Sequence, residues 1–294
     1  MILDARLLTA MVTPYDQDLQ VDYDKAAELA RYLVKQGSQG LVVSGTTGES
    51  PTLSREEKLE LFRCVRQAVG SDISVWAGTG LHDTVASVAL TKAASATGVD
   101  GILGVAPYYN KPPQEGLYQH YRAIAAATSL PVMIYNIPSR TGINILPATM
   151  ARLAEIENIV ALKESSGSMD QMSQLKRLLP DNFVIYSGDD AITLPMMALG
   201  AHGVVSVASH LVGPNLADMV AAVAQGDFQR AQQLHLQLYP VFTGLFFTTS
   251  PIPVKSALNL LGHEVGGFRA PLSALSTAEE EQLIQLMQEN GLLA

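Results

Sequence analysis

The sequence predicts an α/β protein, a (β/α)8 TIM barrel with a C-terminal helical extension. Short apolar segments rich in valine, isoleucine and alanine recur along the chain, and a helix-like stretch follows each of them. The chain contains eight such segments, which is the number of β/α units that closes a barrel. Nearly continuous apolar strands are also typical of a parallel sheet that is covered on both faces.

The predicted strands end in glycine, threonine, serine, tyrosine, asparagine or other polar or turn-forming residues. They span residues 7–14, 40–46, 74–80, 101–109, 131–138, 159–165, 183–190 and 203–209. A doubly wound open sheet is the competing fold. The glycine fingerprint that such sheets often carry is missing, because GTGLHD at Gly78 has no third glycine.

The segments between the strands predict amphipathic crossover helices. In residues 54–69, Ser54 can cap the helix and Glu57, three residues later, completes a capping box. Cys64 lies within this helix, and we assign it to helix packing. The eighth helix is predicted to follow Pro214 and to stop at Gly226.

About a quarter of the chain follows the eighth helix. Residues 229–245, 253–262 and 276–291 predict three more helices with no strand between them. No low-complexity linker separates them from the rest. We therefore expect a catalytic barrel over 1–225 and a three-helix extension over 226–294 that packs on it.

Composition excludes several classes of partner. The 294 residues are 48% hydrophobic and only 16% charged, below the roughly 25% of an average soluble domain, so burial between subunits is expected. The 28 acidic and 19 basic side chains give a net charge of −9, which opposes binding to nucleic acids and anionic lipids.

The single cysteine and the N-terminal sequence predict a cytoplasmic protein. One cysteine can form neither an intrachain disulfide nor a thiolate metal cluster, which fits a reducing compartment. The N-terminus lacks a basic region and a cleavage site, and no apolar run reaches about 18 residues. We therefore expect neither a signal peptide nor a membrane span.

In a TIM barrel, active sites lie at the C-terminal ends of the strands. The predicted strand ends supply mostly uncharged hydroxyl groups around a single lysine. The six histidines are scattered and no HExxH motif is present, so we predict no metal. The polar residues at these ends are Thr46, Thr47, Thr79, Tyr108, Tyr109, Tyr135, Asn136, Lys163, Glu164, Asp189, Asp190 and Ser206.

Lys163 ends an otherwise apolar strand, where burial would disfavour its charged form. A pKa lowered from about 10.4 would provide a neutral amine that attacks a ketone and forms a Schiff base. The structural alternative is a lysine that reaches solvent or pairs with Glu164. Tyr135, on the preceding strand, can shuttle the protons that such a reaction needs, although a purely structural tyrosine is the alternative.

Three loops complete the set of candidates. The GTTGES turn at 45–50 can direct backbone N–H groups toward an anion, although such turns are common. Arg140, after the Tyr135 strand, can hold a carboxylate with two hydrogen bonds, although most loop arginines have no such role. Asp189 and Asp190 predict a turn and an N-cap rather than a metal site.

Taken together, these motifs resemble the dihydrodipicolinate synthase family, within the pyruvate-dependent class I aldolase and N-acetylneuraminate lyase superfamily. The resemblance covers essentially the whole chain, and SRTG at 139–142 is the sign of the synthase branch. The motifs that carry it are GTTGES at 45–50, YYNKP at 108–112, YNIPSRTG at 135–142, KES at 163–165, SGDD at 187–190 and HGVVSV at 202–207.

The resemblance implies a lyase that condenses pyruvate with L-aspartate 4-semialdehyde to 4-hydroxy-tetrahydrodipicolinate, the first committed step of lysine and diaminopimelate biosynthesis. It implies no cofactor and a homotetramer built from two tight dimers. It also implies that Lys163 forms the Schiff base and that Tyr135, Thr46 and Tyr109 form a proton relay, in which Tyr109 reaches a neighbouring subunit. By the same resemblance, Thr47 and Thr46 bind the pyruvate carboxylate, and Arg140 binds the carboxylate of the semialdehyde. The resemblance further implies that the backbone carbonyls of Gly188 and Val205 line the pocket.

One departure from the family concerns regulation. Many relatives bind lysine at the dimer interface through a serine, a tyrosine, an asparagine and a glutamate. Ser50 and Tyr108 match, but His82 and Ala86 replace the other two. Without a carboxylate at position 86 the ammonium group of lysine loses its charge partner, so we expect weak or absent lysine inhibition.

Two alternative functions remain at this stage. A sister aldolase that acts on N-acetylneuraminate or a 2-keto-3-deoxy sugar acid would share Lys163, Tyr135 and GTTGE, but Arg140 in SRTG disfavours it. A non-catalytic barrel that binds a keto acid would not need the intact set of catalytic residues.

Overall fold

A computed structural model describes residues 3–293 of the chain. Its centre is a closed barrel of eight parallel strands in sequence order, with β1 paired to both β2 and β8. The predicted fold class is confirmed. The strands are β1 Leu7–Ala10, β2 Gly40–Val43, β3 Ser74–Gly78, β4 Gly101–Val105, β5 Val132–Asn136, β6 Ile159–Glu164, β7 Val184–Ser187 and β8 Gly203–Ser206.

Each strand ends earlier than the apolar pattern predicted. The predicted first strand continued to residue 14, whereas β1 ends at Ala10. Met11 and Val12 nevertheless remain buried after the chain has left the sheet. The pattern reports burial, and burial continues into the loops that cover this end of the barrel.

Helices surround the barrel and form the extension. The predicted capping box is confirmed at the start of α2, where Ser54 and Glu57 bond each other's backbone. The helices are α1 Tyr23–Lys35, α2 Arg55–Val69, α3 Thr84–Ser95, α4 Gln114–Ala125, α5 Pro138–Thr141, α6 Pro147–Leu153, α7 Met169–Leu178, α8 Thr193–Ala198, α9 Ser209–Ala224, α10 Phe228–Gly244, α11 Ile252–Leu260 and α12 Thr277–Glu289. Short 3-10 turns lie at Ser50–Thr52 and Asp190–Ile192.

The eighth crossover helix begins earlier than predicted. We expected it after Pro214, but α9 starts at Ser209 and kinks at Val212, where φ is −123° and ψ is 30°. The proline therefore opens the second, straight part of α9, where its missing N–H costs least. The helix ends at Ala224, and Gly226 follows with a φ of +81°.

The three predicted C-terminal helices are confirmed as α10, α11 and α12. Helix α10 packs along α9, and α12 packs on both α10 and α11. Leu283 and Met287 of α12 are fully buried beside Ala257 of α11. The extension therefore has a small apolar core of its own, while the division of the chain at residue 225 stays a prediction.

Alternation along the strands decides which side chains enter the barrel. One or two residues of every strand fill its interior. Lys163 follows two residues after the interior residue Ala161, so it also points inward, whereas Glu164 points toward the helices. The interior residues of the strands are Leu8, Ala10, Val42, Trp76, Leu103, Met133, Tyr135, Ala161, Tyr186 and Val205.

The thiol of Cys64 lies 3.0 Å from the carbonyl oxygen of Tyr23, between α2 and α1.

Within residues 3–293, no helix is long and apolar enough to cross a membrane. Over the same span, no group of three or more histidine, cysteine or acidic side chains is arranged to hold a metal ion.

Candidate active site

A cavity of about 200 Å³ lies at the C-terminal ends of β2 to β5. This is the end of the barrel where the sequence placed the site, and residues of the GTTGES, YYNKP and SRTG motifs contribute to its wall. The lining residues are Ser44, Gly45, Thr46, Ser50, Pro51, Gly78, Gly80, Leu103, Val105, Tyr108, Tyr135, Ile137, Arg140 and Thr141.

Lys163 and Tyr135 lie opposite each other on the paired strands β6 and β5. The Lys163 Nζ atom is 4.3 Å from the centroid of the Tyr135 ring. Tyr135 lines the cavity, whereas Lys163 does not; Lys163 contacts this ring and has only 5% of its surface exposed. The two residues that the sequence singled out for Schiff-base chemistry are therefore in direct contact.

The surroundings of Lys163 favour the neutral amine. Burial lowers its pKa to about 8, and the charge of Arg140 acts in the same direction, while Asp190 opposes it. Among the described residues Lys163 forms no ion pair. The alternative pairing with Glu164 is wrong, because that carboxylate lies on the other face of β6.

Glu164 is held instead by neutral groups. It is buried and accepts hydrogen bonds from Asn136 Nδ2 at 3.1 and 3.2 Å, from Gln171 Nε2 at 3.2 Å and from the backbone N–H of Ser166 at 2.6 Å. Asn136 also accepts from the N–H of Ile145 at 3.0 Å. This network ties the end of β6 to the segment that follows α5.

Gly188 makes room for the lysine. A Cβ atom at this position would lie 2.8 Å from Cε of Lys163 and 2.0 Å from Oγ of Ser165. A larger residue at this position would require the side chains of Ser165 and Lys163 to move, so glycine allows the close approach of the β7 end to Lys163. Val205 lies in the barrel interior with 1% exposure, and neither it nor Gly188 lines the cavity.

Tyr135 keeps its proton at neutral pH. Burial raises its pKa to about 12, and the positive charge of Arg140 and the Thr46 hydroxyl offset part of this effect. A phenol that stays protonated can donate a proton to a reacting oxygen and recover it afterwards. The geometry thus supplies a proton donor next to an amine whose pKa is lowered.

The GTTGES turn is fixed from several sides. The N–H of Glu49 donates to the carbonyl of Thr46 at 3.1 Å, and the Thr13 hydroxyl donates to the carbonyl of Gly48 at 2.7 Å. Thr47 is 5% exposed, and Glu49 has a left-handed backbone with φ of +53°. The turn is therefore a firmly held element rather than a free loop.

Arg140 lies on the short helix α5 at the mouth of the cavity. Its Nη2 atom donates to the carbonyl oxygen of Ser250 at 3.1 Å, just before α11. The side chain is exposed, and its remaining N–H groups are available to a carboxylate.

Tyr109 does not contribute to the cavity of its own chain. It is 91% exposed and has a left-handed backbone with φ of +74°. Its neighbour Tyr108 lines the cavity instead. The backbone thus turns two adjacent tyrosines in different directions.

The acidic pair has the structural role that we predicted. The Asp189 carboxylate accepts from the N–H of Ala191 at 2.9 Å and caps a 3-10 turn. Asp190 is buried and accepts from the N–H groups of Val207 and Ala208 at 3.0 and 2.9 Å. Burial raises the pKa of Asp190, and these hydrogen bonds oppose the rise.

Two of the four candidate regulatory residues, His82 and Tyr108, are in contact. The ring of His82 meets Tyr108 edge to face, with centroids 5.3 Å apart. Ser50 accepts from the hydroxyl of Ser44 at 3.2 Å. Ala86 lies in the first turn of α3, where its N–H donates to Asp83. Position 86 is alanine, so it offers no carboxylate to a bound lysine.

Sequence reasoning missed one buried pair beside the site. The Lys255 ammonium on α11 donates to the Glu49 carboxylate at 2.8 Å, and both side chains are inaccessible to solvent. A signal was present, because Lys255 interrupts an apolar helix much as Lys163 interrupts an apolar strand. Glu49, in turn, was treated only as part of a turn motif.

Comparisons with known proteins cover nearly the whole chain. The model of the dihydrodipicolinate synthetase family matches residues 4–290. The 4-hydroxy-tetrahydrodipicolinate synthase of Desulforudis audaxviator is 58% identical over 288 residues, which cover 98% of each chain.

Two solved structures share the fold throughout. A dihydrodipicolinate synthase of Bacillus anthracis superposes with a TM-score of 0.95 at 49% identity, with 98% of this chain and 99% of that chain covered. DHDPS from Cyanidioschyzon merolae, with lysine bound, gives a TM-score of 0.97 at 46% identity over the full length of both chains.

Proposed function

This chain belongs to the dihydrodipicolinate synthetase family, and on that premise we propose the reaction, the residue roles and the assembly described below. The protein is a lyase of the class I aldolase type that condenses pyruvate with L-aspartate 4-semialdehyde to 4-hydroxy-tetrahydrodipicolinate, in lysine and diaminopimelate biosynthesis. The observation that carries the mechanism is the buried amine of Lys163, which pairs with no described carboxylate and lies against the ring of Tyr135.

Lys163 is the nucleophile. With a pKa of about 8, roughly a tenth of the amine is neutral at pH 7, against about one part in three thousand for an unperturbed lysine. The amine adds to the ketone carbon of pyruvate, and the resulting carbinolamine loses water to form an iminium ion. The positive nitrogen then acts as an electron sink for the adjacent methyl carbon.

Tyr135 handles the protons of these steps. Its phenol gives a proton to the departing hydroxyl group, and the phenolate takes a proton from the methyl group as the enamine forms. Thr46 and Tyr109 connect Tyr135 with solvent. Tyr109 is exposed on its own chain, so it serves the site of a neighbouring subunit.

The enamine carbon attacks the aldehyde carbon of the second substrate, and the aldehyde oxygen takes up a proton to become a hydroxyl group. The amino group of that substrate then adds to the iminium carbon and displaces Lys163, which closes the ring and restores the free amine. One water is released in the whole cycle, and no redox step occurs. No cofactor is needed for this sequence.

The substrate carboxylates are held at two places. Thr47, helped by Thr46, receives the carboxylate of pyruvate in the GTTGES turn. Arg140 receives the carboxylate of the semialdehyde at the cavity mouth, where its guanidinium is exposed. Gly188 and Val205 contribute backbone carbonyl oxygens on the far side of Lys163.

The protein acts in the cytoplasm as a homotetramer of two tight dimers. The 91% exposure of the Tyr109 side chain supports this assembly, because the relay is complete only when a second copy supplies that hydroxyl. Neither nucleic acid nor a membrane is expected as a partner.

Lysine inhibits this enzyme weakly or not at all. His82 and Ala86 stand where a lysine-binding relative needs an amide and a carboxylate, and the ammonium group would remain without a charge partner. We expect an inhibition constant of at least about millimolar, since charge-assisted hydrogen bonds contribute about 1.5 to 3 kcal/mol. An inhibition constant well below millimolar in a titration would overturn this expectation.

The test of the function is turnover of pyruvate with aspartate 4-semialdehyde by the purified protein, coupled to a reductase that consumes the product. We expect rapid, saturable turnover. A folded protein that traps pyruvate under borohydride but does not turn over the semialdehyde would reject this acceptor and lead to the sugar-acid aldolases.

A further inference from the structure

The extension and the GTTGES turn meet in a buried ion pair between Lys255 and Glu49. We propose that Lys255 is a positioning residue, whose ammonium group fixes Glu49 and thereby holds Thr46 and Thr47 where they receive the pyruvate carboxylate. This inference rests on the proposed function of the turn. It assigns an active-site task to a helix outside the barrel.

The pair is enclosed on every side. Lys255 Nζ lies 2.8 Å from Oε1 of Glu49, and the N–H of Arg269 donates to the other carboxylate oxygen at 3.2 Å. The ammonium also lies 3.9 Å from the ring centroid of Tyr15 and 5.4 Å from that of Phe268. Both carboxylate oxygens of Glu49 are thus bound by the extension.

Stability alone is a poor explanation for such a pair. Removing two charges from water costs free energy that their attraction only partly offsets, and apolar residues often fill such sites equally well. Buried ion pairs are better suited to fixing one arrangement among several. The arrangement fixed here is that of a turn next to the substrate cavity.

The constraint passes directly from Glu49 to the threonines. Glu49 adopts a left-handed backbone at φ of +53°, which a non-glycine residue adopts only when its surroundings hold it there. Its N–H donates to the carbonyl of Thr46, and the hydroxyl of Thr52 donates to its carbonyl at 3.0 Å. A displaced Glu49 carboxylate would therefore release the hydrogen bond that closes the turn on Thr46.

The same part of the extension also contacts the other carboxylate-binding element. Ser250, five residues before Lys255, accepts the hydrogen bond from Arg140 at 3.1 Å. One short stretch of chain thus touches the GTTGES turn through Lys255 and the α5 arginine through Ser250. The segment 250–255 therefore contacts both carboxylate-binding elements and fixes their positions relative to each other.

The test measures pyruvate binding without an acceptor. Wild type, Lys255→Met and Glu49→Gln/Lys255→Met are incubated with increasing pyruvate, reduced with borohydride, and the labelled fraction is measured by mass spectrometry. We expect the half-saturating pyruvate concentration to rise about tenfold or more in both variants, because the loss of one hydrogen bond to a charged group weakens binding by about that factor. The maximal labelled fraction should stay that of wild type, since Lys163 is untouched.

The double variant separates positioning from stability. It leaves no buried charge unpaired, so its melting temperature should lie closer to that of wild type than that of Lys255→Met does. Its half-saturating concentration should nevertheless remain raised. If Lys255→Met fails to fold, the half-saturating pyruvate concentration of the double variant alone tests the proposal.

The matched control is Arg66→Met. Arg66 pairs with Asp100 at the opposite, N-terminal end of the barrel, where Asp100 precedes β4 and accepts a hydrogen bond from the backbone N–H of Val75 in β3. This variant should lose stability with an unchanged half-saturating concentration. A rise of equal size in the control, or none in the Lys255 variants, would overturn the inference. A wild type that traps no pyruvate would instead reject the proposed function.

Discussion

The barrel interior and the junction between barrel and extension each bury one lysine, and the two sites are alike in several respects. Lys163 and Lys255 are both almost inaccessible, and each lies about 4 Å from a tyrosine ring, at 4.3 and 3.9 Å. Burial lowers the pKa of each to about 8. They differ in their partners, because Lys255 pairs with Glu49 while Lys163 pairs with no described carboxylate.

Lys58 on α2 extends this comparison. It is buried, burial lowers its pKa to about 8, and the described residues give it no ion pair. Unlike Lys163, it has no aromatic ring against its amine. A buried lysine with a lowered pKa is therefore not sufficient to identify a nucleophile. Lys163 is distinguished by three features together: its amine has no described ion-pair partner, it contacts a proton donor, and that donor lines a cavity.

The largest effect is expected from Lys163→Ala. Among residues 3–293 this change removes the only amine that meets all three conditions, so the borohydride-trapped adduct should disappear and turnover should fall by about a thousandfold or more. Intact-protein mass spectrometry after reduction checks this. Lys58→Met is the control and should retain the adduct. Full labelling of the Lys163 variant would show that another amine is the nucleophile.

The next largest effect is expected from Tyr135→Phe. The ring stays against the amine while the hydroxyl group is lost, so the fold should persist and kcat should fall by about 10² to 10⁴. Steady-state kinetics and a thermal melt measure the two quantities separately. Normal kcat in this variant would assign the proton transfer to another group.

Arg140→Ala should have a smaller and more selective effect. The pyruvate adduct should form as in wild type, while KM for the semialdehyde should rise by about ten- to a hundredfold, as the loss of about 1.5 to 3 kcal/mol predicts. Trapping and kinetics on the same preparation provide this check. Unchanged kinetics would remove Arg140 from the substrate site.

The smallest change concerns pH. A lysine whose pKa is lowered becomes neutral at a lower pH than usual. The rate of adduct formation should therefore rise with pH, reach half of its maximum near pH 8 and level off above that pH. Stopped reduction at a series of pH values measures this midpoint. The Lys255→Met variant should show the same midpoint, because Lys255 does not react with pyruvate. A midpoint above 10 would mean that Lys163 is not desolvated.

Much of this architecture was predictable from the sequence, because it is encoded locally. The eight strands, the Ser54 capping box and the three C-terminal helices follow from neighbouring residues. The strand ends were less accurate, since residues such as Met11 stay buried after leaving the sheet. The placement of Lys163 and Tyr135 on paired strands was also predictable, because barrel strands pair in sequence order.

Contacts between distant segments could not be predicted. Glu49 and Lys255 are 206 residues apart, and no periodic pattern relates them. The same limit applies to the hydrogen bond from Arg140 to Ser250, which depends on how the extension folds back over the barrel. The exposure of Tyr109 depends on a left-handed turn that an apolar run does not reveal.

The separation of Glu49 from Lys255 also sets an order of events during synthesis. A ribosome that adds about 5 to 20 residues per second needs about 10 to 40 seconds to proceed from the first of these residues to the second. Throughout that interval the GTTGES turn exists without the ammonium group that completes it. The GTTGES turn of each new molecule therefore receives its charge partner only after every strand of the barrel has been translated.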